Sequence, residues 1–295
     1  MRYAIFTLFL LIWLNNSYAS GVVYKGFLVE NQIQPYVLLI DQDVTSEGSH
    51  YSMKDGASKK LSVHYESTLV DLNPVLIANK NTYFIGLGMG YMADYFGKNQ
   101  QTGVSEYYSG AYFSAYAVSE ISSKWNVNSY FSYGYFSSDE VKSKPEYGKA
   151  LITTSFGYKR NKNEIYKFGV FYNSNFGKEV VLPLLGLSYS HGNMVVDAML
   201  PTYISVRNIL GKRLHSVASI KVKYASYYDQ NRNDILEISG SEVEGRLEYR
   251  VYNNFWINLG ASYVTVSKLR WLNEGTDHAE ISAHFLVKSG VNMRF

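Results

Sequence analysis

From about residue 60 onward, apolar and polar side chains alternate with a period of two, over segments longer than an ordinary sheet needs. The last segment shows it best. Ile281, Ala283, Phe285, Val287, Val291, Met293 and Phe295 fall on one side, and Glu280, Ser282, His284, Lys288, Asn292 and Arg294 on the other. Only Leu286 and Ser289 break the pattern. Successive residues of a strand point to opposite faces, so the segment has one apolar face and one wet face. The same split separates Val243, Gly245, Leu247, Tyr249 and Val251 from Glu242, Glu244, Arg246, Glu248 and Arg250. It recurs in Ala218–Tyr224, Phe255–Tyr263, Ile152–Tyr158 and Tyr83–Tyr91.

A soluble sandwich also alternates, with its apolar face inward. Length separates the two cases. Strands of soluble proteins average about five or six residues, a tilted membrane strand needs about 9 to 11, and these segments run to roughly twice the soluble average. Beyond residue 19 no apolar run is long enough for a membrane helix, so a membrane crossing requires a closed sheet. The aromatic content of 16%, with 28 tyrosines, fits a barrel with amphipathic rings at both membrane interfaces.

The expected fold is therefore all-β: an antiparallel transmembrane β-barrel of about 12 strands, with 10 or 14 as alternatives. The strands are read at 61–70, 81–96, 104–118, 124–139, 148–160, 164–177, 182–191, 194–208, 214–228, 235–251, 255–268 and 279–295. Turn signals separate them at Asn161-Lys162-Asn163, Gly192-Asn193, Gly211-Lys212, Asn231 to Asp234 and Asn253-Asn254. Met1-Arg2, the apolar run Ala4–Leu14 and the small residues Ser17 and Ala19 read as a signal peptide cleaved after Ala19. Three parts result: a signal peptide at 1–19, a segment at 20–60 that is either an extra hairpin or an N-terminal extension, and the barrel at 61–295.

With no cysteine, disulfide frameworks, zinc-thiolate sites and a cysteine nucleophile are excluded. A net charge of +3 gives no reason to expect nucleic acid as a partner. Gly86, Gly88 and Gly90 share one strand face and lack the strand–turn–helix setting of a dinucleotide site. They are read as room for tight curvature or for a neighbouring side chain. Asp229 to Asp234 has Asp234 where a calcium loop needs glycine, and is read as a polar hairpin loop. Ser190 and His191 are adjacent in sequence, so on a strand they point apart and make a poor nucleophile–base pair.

The candidate functional feature is a charge ladder. Lys221 and Lys223 stand on one strand, and Glu244, Arg246, Glu248 and Arg250 on the next. If the apolar faces meet lipid, these charges line the lumen and pair across strands. They then either fill a narrow lumen or tune a small pore.

The final eight residues, Lys288-Ser289-Gly290-Val291-Asn292-Met293-Arg294-Phe295, resemble the C-terminal assembly signal of outer-membrane proteins, with Lys288, Gly290, Met293 and Phe295 in its defining places. Such a signal works by strand addition to the assembly machine. The run Val180 to Tyr189, followed by Val195 to Pro201, resembles an uncharacterised family of bacterial outer-membrane β-barrels. Gly86 to Tyr91, with Asp94-Tyr95-Phe96-Gly97, is similar to the early Gly-rich stretch of the MltA-interacting protein family, a murein-linked barrel. Neither resemblance brings catalytic residues or a cofactor. The expected function is a structural or interaction barrel of the bacterial outer membrane. A small channel or substrate-selective porin comes second, and a lipid-modifying hydrolase third. The expected partners are outer-membrane lipids and lipopolysaccharide, the barrel assembly machinery with periplasmic chaperones, and a periplasmic or murein-associated protein.

Overall fold

The computed structural model describes residues 36–45, 50–53, 61–62, 66–72, 75–79, 83–96, 107–138, 148–175, 178–231, 233–265, 267–271, 277–281 and 283–294. Among them there is no helix long and apolar enough to cross a membrane. The strands are β1 (Tyr36–Thr45), β2 (His50–Met53), β3 (Leu61–Ser62), β4 (Glu66–Leu72), β5 (Val75–Asn79), β6 (Tyr83–Tyr95), β7 (Tyr107–Glu120), β8 (Trp125–Ser138), β9 (Gly148–Asn161), β10 (Glu164–Asn175), β11 (Lys178–His191), β12 (Met194–Leu200), β13 (Tyr203–Ile209), β14 (Leu214–Asp229), β15 (Asp234–Tyr252), β16 (Phe255–Val264), β17 (Ser267–Trp271), β18 (Asp277–Ile281) and β19 (His284–Arg294).

Antiparallel neighbours close one ring: β1, β4, β6 to β16 in order, then β19, which pairs back onto β1. β2, β3, β5, β17 and β18 extend these strands towards one end or the other. Among the described residues fourteen strands thus form the wall, the upper alternative to the expected 12. Two differences account for the count. The stretch 20–60 contributes β1, seated between β19 and β4, so the barrel reaches back past residue 61 to Tyr36. The expected strand 194–208 is two strands, β12 and β13, folded back on each other at Pro201-Thr202. A proline has no N–H to give to a ladder, so the strand stops there.

The hairpin turns follow local chemistry. Gly192, Asn233 and Asn253 have φ of 56°, 54° and 37°, the left-handed backbone that Gly and Asn tolerate; at Gly192 and Asn253 it matches the twist of two-residue hairpins. The turns after β7, β9, β11, β13 and β15 lie at the same end as the start of β1 and the end of β19; this is the turn end. The opposite end, where β6, β8, β10 and β14 finish, is the loop end.

The faces sort as alternation requires. Leu185, Ile220, Val243, Leu247, Leu259 and Phe285 stand exposed on the outside. On the outside near the turn end, Trp125 packs against Tyr158 and Phe168, and Phe156 stacks on Phe168. Such rings at a barrel rim suit a membrane interface. The inward face is buried and largely polar. Gly86 and Gly90 make that packing possible. A Cβ at either would sit 2.3 Å or 2.1 Å from the rings of Tyr116 and Tyr112, the residues directly across on β7.

Near the loop end the wall departs from a simple cylinder. β12 and β13 have seven residues each and stop halfway up. Above them β14 turns inward and meets β8, with Tyr228 beside Ser137. Gln230 donates its backbone N–H to Ser138 Oγ (3.0 Å) and its side-chain amide to Ser138 O (3.1 Å). The upper interior is thereby split into a main lumen bounded by nine of the strands and a side compartment behind β9, β10 and β11.

Candidate functional site

The ladder residues stand on strands that alternation aims inward, and most of them meet there. Lys221 on β14 lies across from Glu242 on β15. It bridges to Glu242 (3.6 Å) and donates a hydrogen bond to Glu244. Lys288 on β19 also reaches Glu242, at 2.8 Å. Arg246 binds Glu244 through Nη1 (2.8 Å) and Glu248 through Nε (3.1 Å). Arg207 Nη1 and Arg294 Nη2 each donate to Glu248 Oε2 at 2.6 Å. Arg294 in turn lies 4.3 Å from the centroid of the Trp256 ring, and Arg250 lies 5.7 Å from it. Carboxylates and cations alternate across the lumen in this way, so each buried charge is offset by opposite ones.

The other two ladder residues differ in setting. Lys223 has Gly240 across from it, not an acidic residue, and its side chain lies outside the described residues. Arg250 is half-buried beside Trp256, towards the turn end. Sequence reasoning placed Glu242, Lys288 and Arg294 on wet strand faces, and Lys288 also in the C-terminal signal, without joining them to the ladder, and it missed Arg207. Arg207 carries a legible signal, because it falls on the inward set with Tyr203 and Ser205. The register that carries it to Glu248 has no such signal.

Above the ion network lies a second layer. Met92, Phe96, Tyr108, Phe136, Ala225, Tyr227, Leu236, Ile238, Val264, Leu269, Trp271 and Leu286 form one apolar cluster in the upper lumen. Leu286, an exception to the polar side of its strand, is there to complete it. Two acids sit in the cluster, each bound by a phenol: Tyr227 donates to Asp94, and Tyr108 donates to Asp229 (2.7 Å). A third knot closes the lower wall below the side compartment, where Asp197 accepts from Lys167 (2.5 Å), Ser188 and Tyr203. The interior of the barrel is thus filled by ion pairs towards the turn end and by aromatic and aliphatic packing towards the loop end.

Other sequence candidates fare simply. Ser190 is buried and His191 exposed, on opposite faces of β11. Asp229 and Asp234 flank a tight polar turn, where Asn231 N donates to Asp229 Oδ1 (2.9 Å). Among the described residues no cluster of His, Asp and Glu is arranged to hold a metal ion. Of the C-terminal signal, Gly290 and Met293 lie in β19, Met293 facing outward and Lys288 inward; Phe295, Ser17 and Ala19 lie outside the described residues.

Fold and interior together define a closed barrel of the outer-membrane type, antiparallel around its ring and with one short parallel contact between β14 and β8. No protein-family model matches the chain, and no curated protein matches it in sequence. Solved structures do match it in shape. The COG4313 outer membrane channel from Pseudomonas putida F1 superimposes with a TM-score of 0.53 at 6% identity, over 91% of this chain and 98% of that one. The KdgM porin in complex with oligogalacturonate matches at a TM-score of 0.34 and 10% identity, over 88% and 99%. The toluene transporter TodX of P. putida matches at 0.37 and 10%, over 88% and 90%.

Proposed function

We propose that this chain is an integral barrel of a bacterial outer membrane, with an axial lumen closed to free diffusion, acting as a structural or interaction barrel. The observation that carries this reading is the doubly filled interior, in which Glu242, Glu244 and Glu248 are tied to cations from β13, β14, β15 and β19 beneath a continuous apolar cluster. A barrel that passes solutes freely needs an unobstructed polar path, and here arginine, lysine and aromatic side chains occupy it. By the general rule for such barrels, the turn end faces the periplasm and the loop end the outside. Outer-membrane lipids and lipopolysaccharide surround the apolar band, the assembly machinery and periplasmic chaperones deliver the chain, and a periplasmic or murein-associated partner meets the turn end.

Planar-bilayer recording on the purified barrel tests this. The expected trace is flat at neutral pH in molar salt, from protein whose gel mobility still shifts on boiling, since closed barrels hold their backbone bonds internally. Steady, ion-selective steps would instead establish the second reading, a small channel, which the shape shared with the COG4313 channel favours. Assembly is a separate expectation. Deleting Phe295 is expected to lower the folded, heat-modifiable yield several-fold without changing the properties of the molecules that do fold. Equal yields from the deletion and the parent in the same cells would remove the terminal signal from the account.

A further inference from the structure

The short hairpin β12–β13 leaves a gap in the barrel wall. β11 pairs with β12 only from Leu185 to His191, and β14 pairs with β13 only from His215 to Lys221. Above those points no strand among the described residues joins β11 to β14. Three inter-strand spacings separate the two strands at the hairpin, about 14 Å. With about 3.3 Å per residue and a tilt near 40°, seven residues rise about 18 Å, short of an apolar band about 25 Å tall. The lip of the gap, exposed Leu200 and Pro201, therefore lies within the hydrocarbon of the outer leaflet. The lip's backbone is satisfied internally: Thr202 N donates to Met199 O (2.7 Å) and Val222 N to Thr202 O (2.9 Å). Pro183, with no N–H to offer, sits on β11 just above the point where β12 ends. The Pro183 and Leu200-Pro201 elements of the sequence thus mark one side and the lip of the same opening.

Behind it lies the side compartment. Leu184, Met199 and Tyr203, with Phe171 packed on them, make its floor. Val180, on the inward face of β11, is 37% exposed, and Phe171 and Leu182 on the same inner side are half-buried. Two polar groups stand in the wall. Lys149, 5% exposed, donates from Nζ to Ser226 Oγ (2.9 Å) on the face of β14 turned away from the main lumen. Glu237 lies directly across from Ser226 on β15 and offsets the lysine's charge. Asn173 is 4% exposed, one diagonal step from Lys149 on the β9–β10 face, and its buried Oδ1 has no hydrogen-bond partner among the described residues.

We propose that this compartment is a binding site for an aliphatic molecule bearing one hydroxyl group, admitted sideways from the outer leaflet between β11 and β14. A hydroxyl both donates and accepts, so it completes Asn173 Oδ1 while accepting from Lys149. A bare hydrocarbon would leave the acceptor buried and unmade, and a second anion is not called for beside Glu237. The alkyl chain lies over Phe171, Leu182 and Leu184 and leaves through the gap. The inference needs the barrel to span a bilayer, but does not depend on whether the axial lumen conducts.

The test uses the mature barrel in phospholipid nanodiscs and a 1-dodecanol analogue with a diazirine on its chain. Photolabelling is expected to be saturable and to map to the inner face of β9–β11. 1-Dodecanol should compete it away, and dodecane at equal membrane concentration should not, since a site built around a hydroxyl rejects analogues lacking it. Asn173→Leu, nearly isosteric, is expected to weaken binding at least tenfold, and Lys149→Met likewise, with heat-modifiable mobility unchanged. Equal competition by dodecane, labelling confined to the outward faces, or unaltered binding in folded Asn173→Leu would each overturn the proposal. None of these results turns on the conductance test of the closed lumen.

Discussion

Glu248→Ala should destabilise the folded barrel by about 3–5 kcal/mol, the range for removing one partner of a buried ion cluster. Glu248 is 1% exposed and accepts from Arg207, Arg246 and Arg294 together. Deleting its carboxylate leaves Arg207 and Arg294, both buried, without the anion that justified their desolvation. An exposed ion pair lost in the same way would cost only about 0–1 kcal/mol. Urea unfolding in lipid vesicles measures the difference. Combining Arg207→Met with Glu248→Met gives a second reading. The double variant should be less destabilised than the sum of its single changes, because groups in one network couple. Simple additivity, or a loss below 1 kcal/mol for Glu248→Ala, would mean that the network is not a desolvated unit.

The neighbouring residue is expected to respond for the opposite reason. Leu247 points outward, 52% exposed, between Ser216 of β14 and Leu259 of β16. It stands five residues above the end of β15 at Tyr252, about 13 Å in height at this tilt and so near the middle of an apolar band. Leu247→Arg would carry a guanidinium into hydrocarbon, at about 2–4 kcal/mol near the midplane. Arginine is native one position earlier, at 246, where it faces the lumen and binds two carboxylates. The same side chain is thus stabilising at one residue and destabilising at the next. A harmless Leu247→Arg in vesicles would mean that the odd face of β15 does not meet lipid.

That contrast shows what could be read locally. Alternation is a property of the pleat, so which side of each strand is wet follows from the sequence without knowledge of its neighbours. The inward placement of Glu244, Arg246 and Glu248, the hairpin turns at Gly192 and Asn253, and the packing of tyrosines over Gly86 and Gly90 all belong to this level. So does the break within the segment 194–208. Pro201 interrupts the segment 194–208, and inward burial slips there, with Thr202 and Tyr203 both buried in succession. A continuous strand cannot place consecutive residues on one side.

Other features have no local signature. That Glu248 meets Arg207 and Arg294, 41 and 46 residues away, depends on the shear that closes the ring. That Lys223 faces a glycine while Lys221 faces a glutamate depends on the register of one hairpin. The inward turn of β14 goes with the short β12–β13 hairpin and meets β8 at Ser137, beyond the last β8–β9 pair at Tyr135. The sequence by itself determined a lipid-facing and a lumen-facing side for the strands of an all-β barrel, because side-chain period and pleat are the same fact. Tertiary structure alone decided the fourteen-strand closure, the pairing that fills the lumen and the opening between β11 and β14, because register, shear and strand ends are set by contacts between residues far apart in the chain.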